Sequence, residues 1–478
     1  MKRCFFAALT LFVLAACNEG ASPVEGPITG FTLLDAATDE ALGTSSLADG
    51  TTLDATGLPA AVRVRADTAP GFAGSVRLTL GDLSATDSSA PYTLEGWTPA
   101  PGSYTLTATP YGASGRAGGA LSVGFAVTAR ATGEPLPEGY RRLLYVVLKT
   151  GIAVYDMDAG YRLVKRLDTP DVDRIWGAHA HAESGMLYFS FHDATGASGT
   201  YERGVVAYDL VAEKIVWRKF YKPFVDSLEV TPDGKTLYMA TGEATGRGTF
   251  WFVLDAATGA VKDTIPVFRG AHNTIVGLDG ARVYLGSVRY PYLVVADTAT
   301  NDVVREIGPF RSGVRPFTVN GAQTLAFVNV NQFLGFEIGD ISTGKKLYSV
   351  PVAGFPSPKW KEALQVQSHG VALTPDEQEV WVVDSYSDQL HVFDVSGLPD
   401  KAPVQLDSIP LQSGPLWLAF SRDGRFAHVS TGDVIDTRTR QIVAKTASSK
   451  IRLQIDFVGD RPVKAFSRYG LGYVTPPN

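Results

Sequence analysis

Cysteine is almost absent from this sequence, and its absence excludes several kinds of site. Cys4 and Cys17 are the only cysteines in 478 residues. The rest of the chain therefore has no disulfide, no zinc–thiolate or iron–sulfur site and no cysteine nucleophile. Charged residues are also sparse, at 19%, with 49 acidic against 43 basic side chains. This acidic balance makes a nucleic-acid partner unexpected.

The motifs that usually identify an enzyme or a cofactor site are missing as well. The sequence contains no His-Glu-x-x-His pair, no Gly-x-Ser-x-Gly elbow, no phosphate-binding loop and no dinucleotide fingerprint. The segment that starts at Asp156 begins like a calcium loop, but its twelfth position is Leu167, where a bidentate carboxylate is needed. We therefore predict no cofactor and no metal site.

The first 16 residues are typical of an export signal. Lys2 and Arg3 precede an apolar run at 5–16. A helix of that length reaches about 18 Å, which is too short for a bilayer core of about 30 Å. We expect this segment to be a signal peptide rather than a permanent transmembrane helix.

The end of this segment predicts a lipid anchor. The four residues that end at Cys17 (LAAC) resemble the bacterial lipobox, whose cysteine becomes lipidated. An ordinary signal peptide is the alternative. On the lipobox interpretation, residues 17–27 form a lipid-anchored tether, and Asn18 in place of aspartate implies the outer membrane.

Residues 28–128 consist of short apolar and β-branched segments that turn dipeptides separate. The predicted strands are Ile28–Leu34, Val62–Ala66, Val76–Leu80, Tyr104–Thr109 and Leu121–Val127. Such a series favours a β-sandwich. Residues 90–111, which include Trp97 and Tyr104, resemble immunoglobulin-like modules of exported bacterial proteins. We interpret this domain as a spacer or docking module. Both rings are expected to fill the sandwich core or cover its edge; a sugar-binding platform is the alternative. Residues 129–140 are predicted to form a stiff linker.

From residue 141 onward one unit recurs. An apolar strand that ends in aspartate appears seven times, at intervals of 42 to 54 residues: Asp156, Asp209, Asp255, Asp297, Asp340, Asp394 and Asp436. A second apolar strand precedes each of them, centred on Tyr145, Tyr188, Tyr238, Tyr284, Phe327, Trp381 and His428. Two markers in seven-fold register predict a seven-bladed β-propeller over residues 141–470, followed by a tail at 471–478. Each aspartate is expected to accept backbone N–H groups in a hairpin turn.

The ends of this repeat predict how the propeller closes. The first repeat lacks an innermost strand, whereas the alternating segment Leu453–Phe457 belongs to no repeat of its own. A C-terminal strand that completes the first blade would leave no open sheet edge. The predicted fold class is therefore all-β: an immunoglobulin-like β-sandwich followed by a seven-bladed β-propeller closed by a C-terminal strand.

Three segments carry a family resemblance. Residues 231–238 (TPDGKTLY), 373–381 (LTPDEQEVW) and 420–425 (FSRDGR) resemble the YVTN-type propellers of the lactonase-like and quinoprotein-amine-dehydrogenase-like group. The resemblance spans the repeats and implies their architecture. It implies no single activity, because that group includes binding proteins, surface proteins and enzymes, and no catalytic residue carries over.

Propeller ligands usually bind in the central channel, which the innermost strands line. Counting twelve residues back from each second-strand marker predicts the residues at the channel mouth: Trp176, Asp226, His272, Arg315, His369 and either Leu416 or Trp417. Asn273 follows His272, and His179 and His181 lie on the strand that carries Trp176. Four of the seven histidines are thus expected near one mouth.

This composition allows two chemical interpretations. In an enzyme, His272 and His369 would act as acid and base, and Arg315 would hold a carboxylate. In the other interpretation the mouth is polar because it faces water. An anionic sugar or a lactone suits the predicted ligand-binding residues Trp176, His179, His181, Asp226, Asn273 and Trp417, in which the tryptophans stack on a sugar face and Asp226 orients a histidine.

We expect an exported, membrane-anchored lipoprotein whose propeller is a binding scaffold. Its partners would be a carbohydrate, a small molecule or a protein at the channel mouth, and the membrane through Cys17. The second interpretation is a propeller enzyme, either a lyase acting on a uronate polysaccharide or a lactonase. A redox role ranks third, and without a haem-attachment motif it would need a non-covalent cofactor.

Overall fold

The computed structural model describes residues 27–466 except 37, 40, 43–45, 55–57, 60, 101, 113, 129–136, 170–173, 194–201, 243–248, 357–366 and 413. Every regular element within these ranges is a β-strand. No helix among the described residues is long and apolar enough to cross a membrane. The chain divides into two compact units, Met1–Pro135 and Leu136–Asn478. Cys17 and most of the predicted linker lie outside the described residues.

The described residues of the first unit form eight strands in two sheets. They are β1 (Ile28–Asp35), β2 (Thr51–Asp54), β3 (Val62–Thr68), β4 (Gly74–Leu80), β5 (Leu83–Asp87), β6 (Tyr92–Trp97), β7 (Gly102–Gly112) and β8 (Leu121–Thr128). One sheet has the order β1-β3-β6 and the other β2-β8-β7-β4-β5. Alternate residues of both sheets share one apolar core, as in a two-layer β-structure.

Trp97 and Tyr104 take the core position expected for them. Trp97 is 3% exposed and packs edge-on against Tyr104 and Phe125, with ring centroids 5.4 and 5.7 Å away. The Tyr104 hydroxyl donates to the carbonyl of Ala100 at 2.7 Å. A buried indole offers no exposed face to a sugar, so the platform interpretation does not hold for Trp97.

In the described part of the second unit there are 29 strands. In chain order they are β9 (Tyr140–Leu148), β10 (Gly151–Asp156), β11 (Arg162–Leu167), β12 (Arg174–His181), β13 (Met186–Asp193), β14 (Glu202–Asp209), β15 (Lys214–Phe220), β16 (Leu228–Val230), β17 (Thr236–Ala240), β18 (Phe250–Asp255), β19 (Val261–Pro266), β20 (Ala271–Val276), β21 (Arg282–Ser287), β22 (Leu293–Asp297), β23 (Val303–Ile307), β24 (Val314–Val319), β25 (Leu325–Val330), β26 (Gly335–Asp340), β27 (Lys345–Pro351), β28 (Ser368–Leu373), β29 (Glu379–Asp384), β30 (Gln389–Asp394), β31 (Val404–Pro410), β32 (Leu418–Phe420), β33 (Phe426–Val429), β34 (Asp433–Asp436), β35 (Ile442–Lys445), β36 (Arg452–Val458) and β37 (Arg461–Phe466).

These strands form antiparallel sheets that succeed one another along the chain. Six sheets take four consecutive strands each, from β12–β15 to β32–β35, and one five-stranded sheet has the order β11-β10-β9-β36-β37. Apolar cores lie between successive sheets, and a further core joins β33 and β34 to β9 and β10. The cores therefore connect the sheets in a closed cycle, which we call the ring. This arrangement is consistent with a β-propeller.

The recurring aspartates lie where the third strand of a sheet turns into the fourth. Their Oδ1 atoms accept backbone N–H groups two or three residues further on; Asp209, for example, accepts from Val211 and Ala212 at 2.8 Å each. Hydrogen bonds lower the pKa of Asp255, the largest cause being the Thr258 hydroxyl. These contacts give the repeated aspartate a structural role, as the sequence predicts.

The expected C-terminal strand is present and closes the ring. β36 pairs antiparallel with β9 from Arg452↔Val146 to Val458↔Tyr140. Leu453, Ile455 and Phe457 are buried in the core shared with β12–β14. The sequence missed β37, which pairs with the other side of β36 and contacts β12. The first sheet of the ring, which contains β9, therefore has one strand more than the other sheets of the ring.

Truncation tests this closure. Removal of residues 449–478 deletes β36 and its ladder with β9, together with three buried apolar side chains worth about 2 kcal/mol each. Typical domains are stable by only about 5–15 kcal/mol, so we expect this variant to be insoluble or to lack a cooperative melting transition by circular dichroism. Truncation after Tyr473 keeps both strands and is expected to melt cooperatively. A soluble and cooperatively melting 1–448 chain would contradict the closure.

A histidine occupies one of the aromatic marker positions. His428 is 1% exposed, and its Nε2 lies 2.8 Å from the Tyr161 hydroxyl in the core between the first and last sheets. Burial lowers the pKa of His428 to about 3, from an ordinary value of 6.5. The imidazole is therefore neutral at physiological pH and substitutes for an aromatic ring.

This histidine should make stability depend on pH. Between pH 6.5 and about 3 the unfolded state binds a proton that the folded state does not. Stability is thus fully present above pH 6.5 and falls by up to about 1.4 kcal/mol per pH unit below it. We expect His428→Gln, which keeps an acceptor for Tyr161, to show a smaller loss of Tm from pH 7 to pH 5 than the native chain. His181→Gln is the control, and equal losses in the native and His428→Gln chains would contradict the prediction.

Candidate functional site

The predicted mouth residues lie at or just before the starts of the innermost strands. Trp176, His272, Arg315 and His369 are near the first residues of β12, β20, β24 and β28. Asp226 and Trp417 come two residues and one residue before β16 and β32. Trp417 is buried and Leu416 is 36% exposed, so Trp417 takes the inward position that the sequence left open.

Asp226 and His272 form a buried pair between neighbouring sheets. Asp226 Oδ2 lies 3.1 Å from His272 Nδ1, and the two residues are 1% and 3% exposed. Asp226 Oδ1 accepts the N–H of Ser227 at 2.8 Å, and the Ser227 hydroxyl donates to the His272 carbonyl at 2.5 Å. This contact fixes the orientation of the His272 ring relative to Asp226.

His272 and His369 converge although their strands are not neighbours. Their ring centroids lie 6.3 Å apart, while β24 lies between β20 and β28 in the ring. The two imidazoles therefore approach each other across the strand that carries Arg315. The Trp417 ring meets His369 edge-on at 4.8 Å. Because Trp417 is 4% exposed and His369 is half-buried, Trp417 supports His369 rather than presenting a stacking face.

Arg315 is buried beside this pair, and part of its donor set is engaged. Its Nε donates to Asn331 Oδ1 at 2.6 Å, and Asn331 donates to the Val288 carbonyl at 2.7 Å. The Nε of Arg315 is therefore not available to a carboxylate ligand. Asn273, on the strand of His272, is also buried.

A lysine that the sequence did not indicate reaches the mouth. Lys450 Nζ lies 4.8 Å from the centroid of the half-buried Trp176 ring. The same ring contacts His192 at 5.0 Å and Phe224 at 6.0 Å between centroids. A cation over the indole favours an anionic ligand there more than a stacked sugar. Lys450 was not found because it comes to Trp176 only through the pairing of β36 with β9.

His179 and His181 do not join the other histidines, which corrects the expectation of four at one mouth. They lie three and five residues beyond Trp176, about 10 and 17 Å along an extended strand. His179 Nε2 contacts Glu229 Oε1 at 3.2 Å, and Glu229 Oε2 accepts the N–H of Val276 at 2.7 Å. His181, at the hairpin end of β12, contacts Ser184 Oγ and the Pro232 carbonyl at 2.9 Å each. Both histidines connect neighbouring sheets.

A Ser–His–Asp series elsewhere has a structural explanation. His391 Nδ1 lies 2.8 Å from Ser408 Oγ, and its Nε2 lies 3.4 Å from Asp384 Oδ2. The same cross-strand register pairs Glu337 with Ser349 in the preceding sheet. Polar side chains thus recur at this position from one sheet to the next, where they satisfy buried hydrogen-bonding groups near the outer strand. His391 itself is fully buried.

No group of three or more His, Cys, Asp or Glu side chains is arranged to hold a metal ion within the described ranges. A surface pocket exists away from the mouth cluster, lined by Pro266, Val267, Phe268, Tyr290, Val294, Val303 and Glu306. The mouth cluster itself consists of Asp226, His272, Arg315, His369, Trp417, Trp176 and Lys450.

Comparisons with known proteins add little to this geometry. No protein-family model matches the chain. No curated protein matches it either. Among solved structures, hydrazine synthase of Kuenenia stuttgartiensis aligns with 63% of this chain and 97% of its own, at 13% identity and a TM-score of 0.44. A resemblance at this level carries no argument about function.

The Asp226–His272 pair predicts energetic coupling. Removal of either partner leaves the other buried without its hydrogen bond, so Asp226→Asn and His272→Gln should each destabilise the chain by about 1–3 kcal/mol. A double-mutant cycle measured by urea denaturation should give a coupling of at least about 0.5 kcal/mol. The exposed contact between His181 and Ser184 is the control and should couple more weakly. Strict additivity for Asp226 and His272 would contradict the contact.

Proposed function

We propose that the chain is an exported lipoprotein whose seven-bladed β-propeller binds a small anionic ligand at the mouth cluster. The proposal includes an immunoglobulin-like first domain as spacer, the YVTN type for the propeller, and lipidation of Cys17 at the outer membrane. The sequence features of the first 17 residues and the seven-fold repeat support these parts.

The observation that carries the ligand proposal is the convergence of His272 and His369 across the strand of Arg315, at 6.3 Å between rings. Arg315 and Lys450 add positive charge at the same end of the innermost strands. Charge-assisted hydrogen bonds to a carboxylate are about twice as strong as neutral ones. An anionic sugar such as a uronate offers a carboxylate to Arg315 and hydroxyls to the imidazoles.

The second candidate is an enzyme that uses the same residues. It is favoured by the buried Asp226 carboxylate, which orients His272 as a general base would be oriented. In a uronate lyase, Arg315 would neutralise the carboxylate, His272 would take the neighbouring C–H proton, and His369 would donate a proton to the leaving oxygen as the C–O bond breaks. In a lactonase, His272 would activate water.

Titration of the full chain with oligogalacturonate, glucuronate and gluconolactone tests the proposal. We expect a change in tryptophan fluorescence on binding the uronates, because Trp417 lies 4.8 Å from His369. Arg315→Ala should raise the Kd about tenfold or more, since a charged hydrogen bond is lost. Arg438→Ala, an exposed arginine at an aspartate turn, is the matched control and should leave the Kd unchanged.

The same samples separate binding from catalysis. The binding scaffold predicts no unsaturated uronyl absorbance and no release of acid from the lactone. If the native chain turns over a probe and His272→Gln abolishes that turnover, the protein is an enzyme and the binding-scaffold proposal is wrong. Binding that is equal in the native and Arg315→Ala chains, or no binding of any of the three probes, would contradict the mouth as an anion site.

A further inference from the structure

An aromatic surface lies on the side of the ring where the innermost strands begin, outside the mouth cluster. Phe268 lies in the connection from β19 to β20, and Tyr290 and Tyr292 lie in the connection from β21 to β22. The ring centroids of Phe268 and Tyr290 are 5.0 Å apart and those of Tyr290 and Tyr292 are 5.2 Å apart. Together the three rings form a continuous aromatic strip.

Phe268 presents one face of its ring to solvent. Its ring stacks on Tyr290 with an interplanar angle of 25°, yet the residue is 54% exposed. Stacking covers one face, so the exposure belongs to the other. A large aromatic side chain exposed to this extent costs free energy in water unless a ligand covers it.

The backbone holds these rings in place. The Ser287 hydroxyl lies 3.0 Å from both the Phe268 and the Arg269 carbonyls, which ties the Phe268 connection to β21. The Tyr290 carbonyl accepts the N–H of Val314 at 3.2 Å. Gly270 has a φ of +86°, which lets the chain turn directly after Phe268 and Arg269. The strip is therefore preorganised, which lowers the entropic cost of binding.

A carboxylate next to the rings defines the ligand further. Glu306 is exposed, its Oε1 accepts the Tyr290 hydroxyl at 2.8 Å, and it lines the same pocket as Phe268 and Tyr290. A purely apolar ligand would desolvate this carboxylate without compensation. The ligand must therefore combine a flat apolar face with hydrogen-bond donors.

We propose that the Phe268–Tyr290–Tyr292 strip with Glu306 is a binding site for a neutral polysaccharide. The C–H face of a sugar ring covers Phe268, and sugar hydroxyls donate to Glu306. An organic ammonium ion is the other ligand that an aromatic surface and a carboxylate attract. Phe268 stacks on Tyr290 at 25°, and Tyr292 is tilted by 42° against Tyr290. The rings therefore do not surround a point charge, and the geometry favours the sugar.

Affinity electrophoresis of the full chain through gels that contain soluble hydroxyethyl cellulose, xylan, galactomannan or dextran tests this site. We expect retardation by at least one polysaccharide and, for Phe268→Ala, at least about a fivefold rise in the Kd. Phe220→Ala is the matched control, because Phe220 is 49% exposed on β15 and packs edge-on against Phe191. No retardation in any gel, or equal retardation of the native and Phe268→Ala chains, would overturn the proposal.

Glu306→Gln separates the sugar from the cation. The amide oxygen still accepts sugar hydroxyls, so polysaccharide binding should weaken by no more than about fivefold. Tetramethylammonium is the second probe. The site would be assigned to cations instead if the native chain binds this ion saturably, if both Phe268→Ala and Glu306→Gln abolish that binding, and if no polysaccharide retards the chain. Because Arg315→Ala leaves the strip intact, loss of uronate binding and loss of polysaccharide binding are distinguishable.

Discussion

The hydrogen-bonded ladder between β36 and β9 is the contact on which the second unit depends. Each other sheet of the ring is made from one local stretch of chain, whereas this sheet joins residues that are about 310 positions apart. Without that ladder, β9 would have an unpaired edge and the cycle of apolar cores would be open on one side. Loop closure over such a separation costs entropy, which the ladder and its buried side chains must offset.

The same pairing connects the architecture to the candidate site. Lys450 precedes β36 and reaches Trp176 because β36 lies between β9 and the start of the second sheet. Arg452, the first residue of β36, is buried and donates to the Ala447 carbonyl at 2.6 Å. The closing strand thus contributes positive charge to the end of the ring where His272 and His369 meet.

The mouth residues show two ways in which a buried polar side chain is used. Asp226 and His272 satisfy each other between sheets, and the side chains around them leave both nearly inaccessible. His179 and Glu229 form a similar contact further along the strands. Both pairs join neighbouring sheets. The histidines and carboxylates that form hydrogen bonds between sheets are thus the same residue types that a ligand site would use. What distinguishes the mouth is convergence: His369, half-buried, meets His272 across an intervening strand.

The sequence by itself determined the all-β class, the repeat, the turn aspartates and the closing strand. These follow from local signals, since period-two apolar patterns and Asp-turn chemistry act over a few residues and then recur. Counting along the repeat also put Asp226 and His272 at equivalent positions of adjacent sheets, and such positions are neighbours. Only the tertiary structure decided which side chains meet beyond adjacent sheets. The approach of His369 to His272, the cation over Trp176, the separation of His179 and His181 from the mouth, and the alignment of Phe268 with Tyr290 depend on how far each strand projects and twists, which no local pattern encodes.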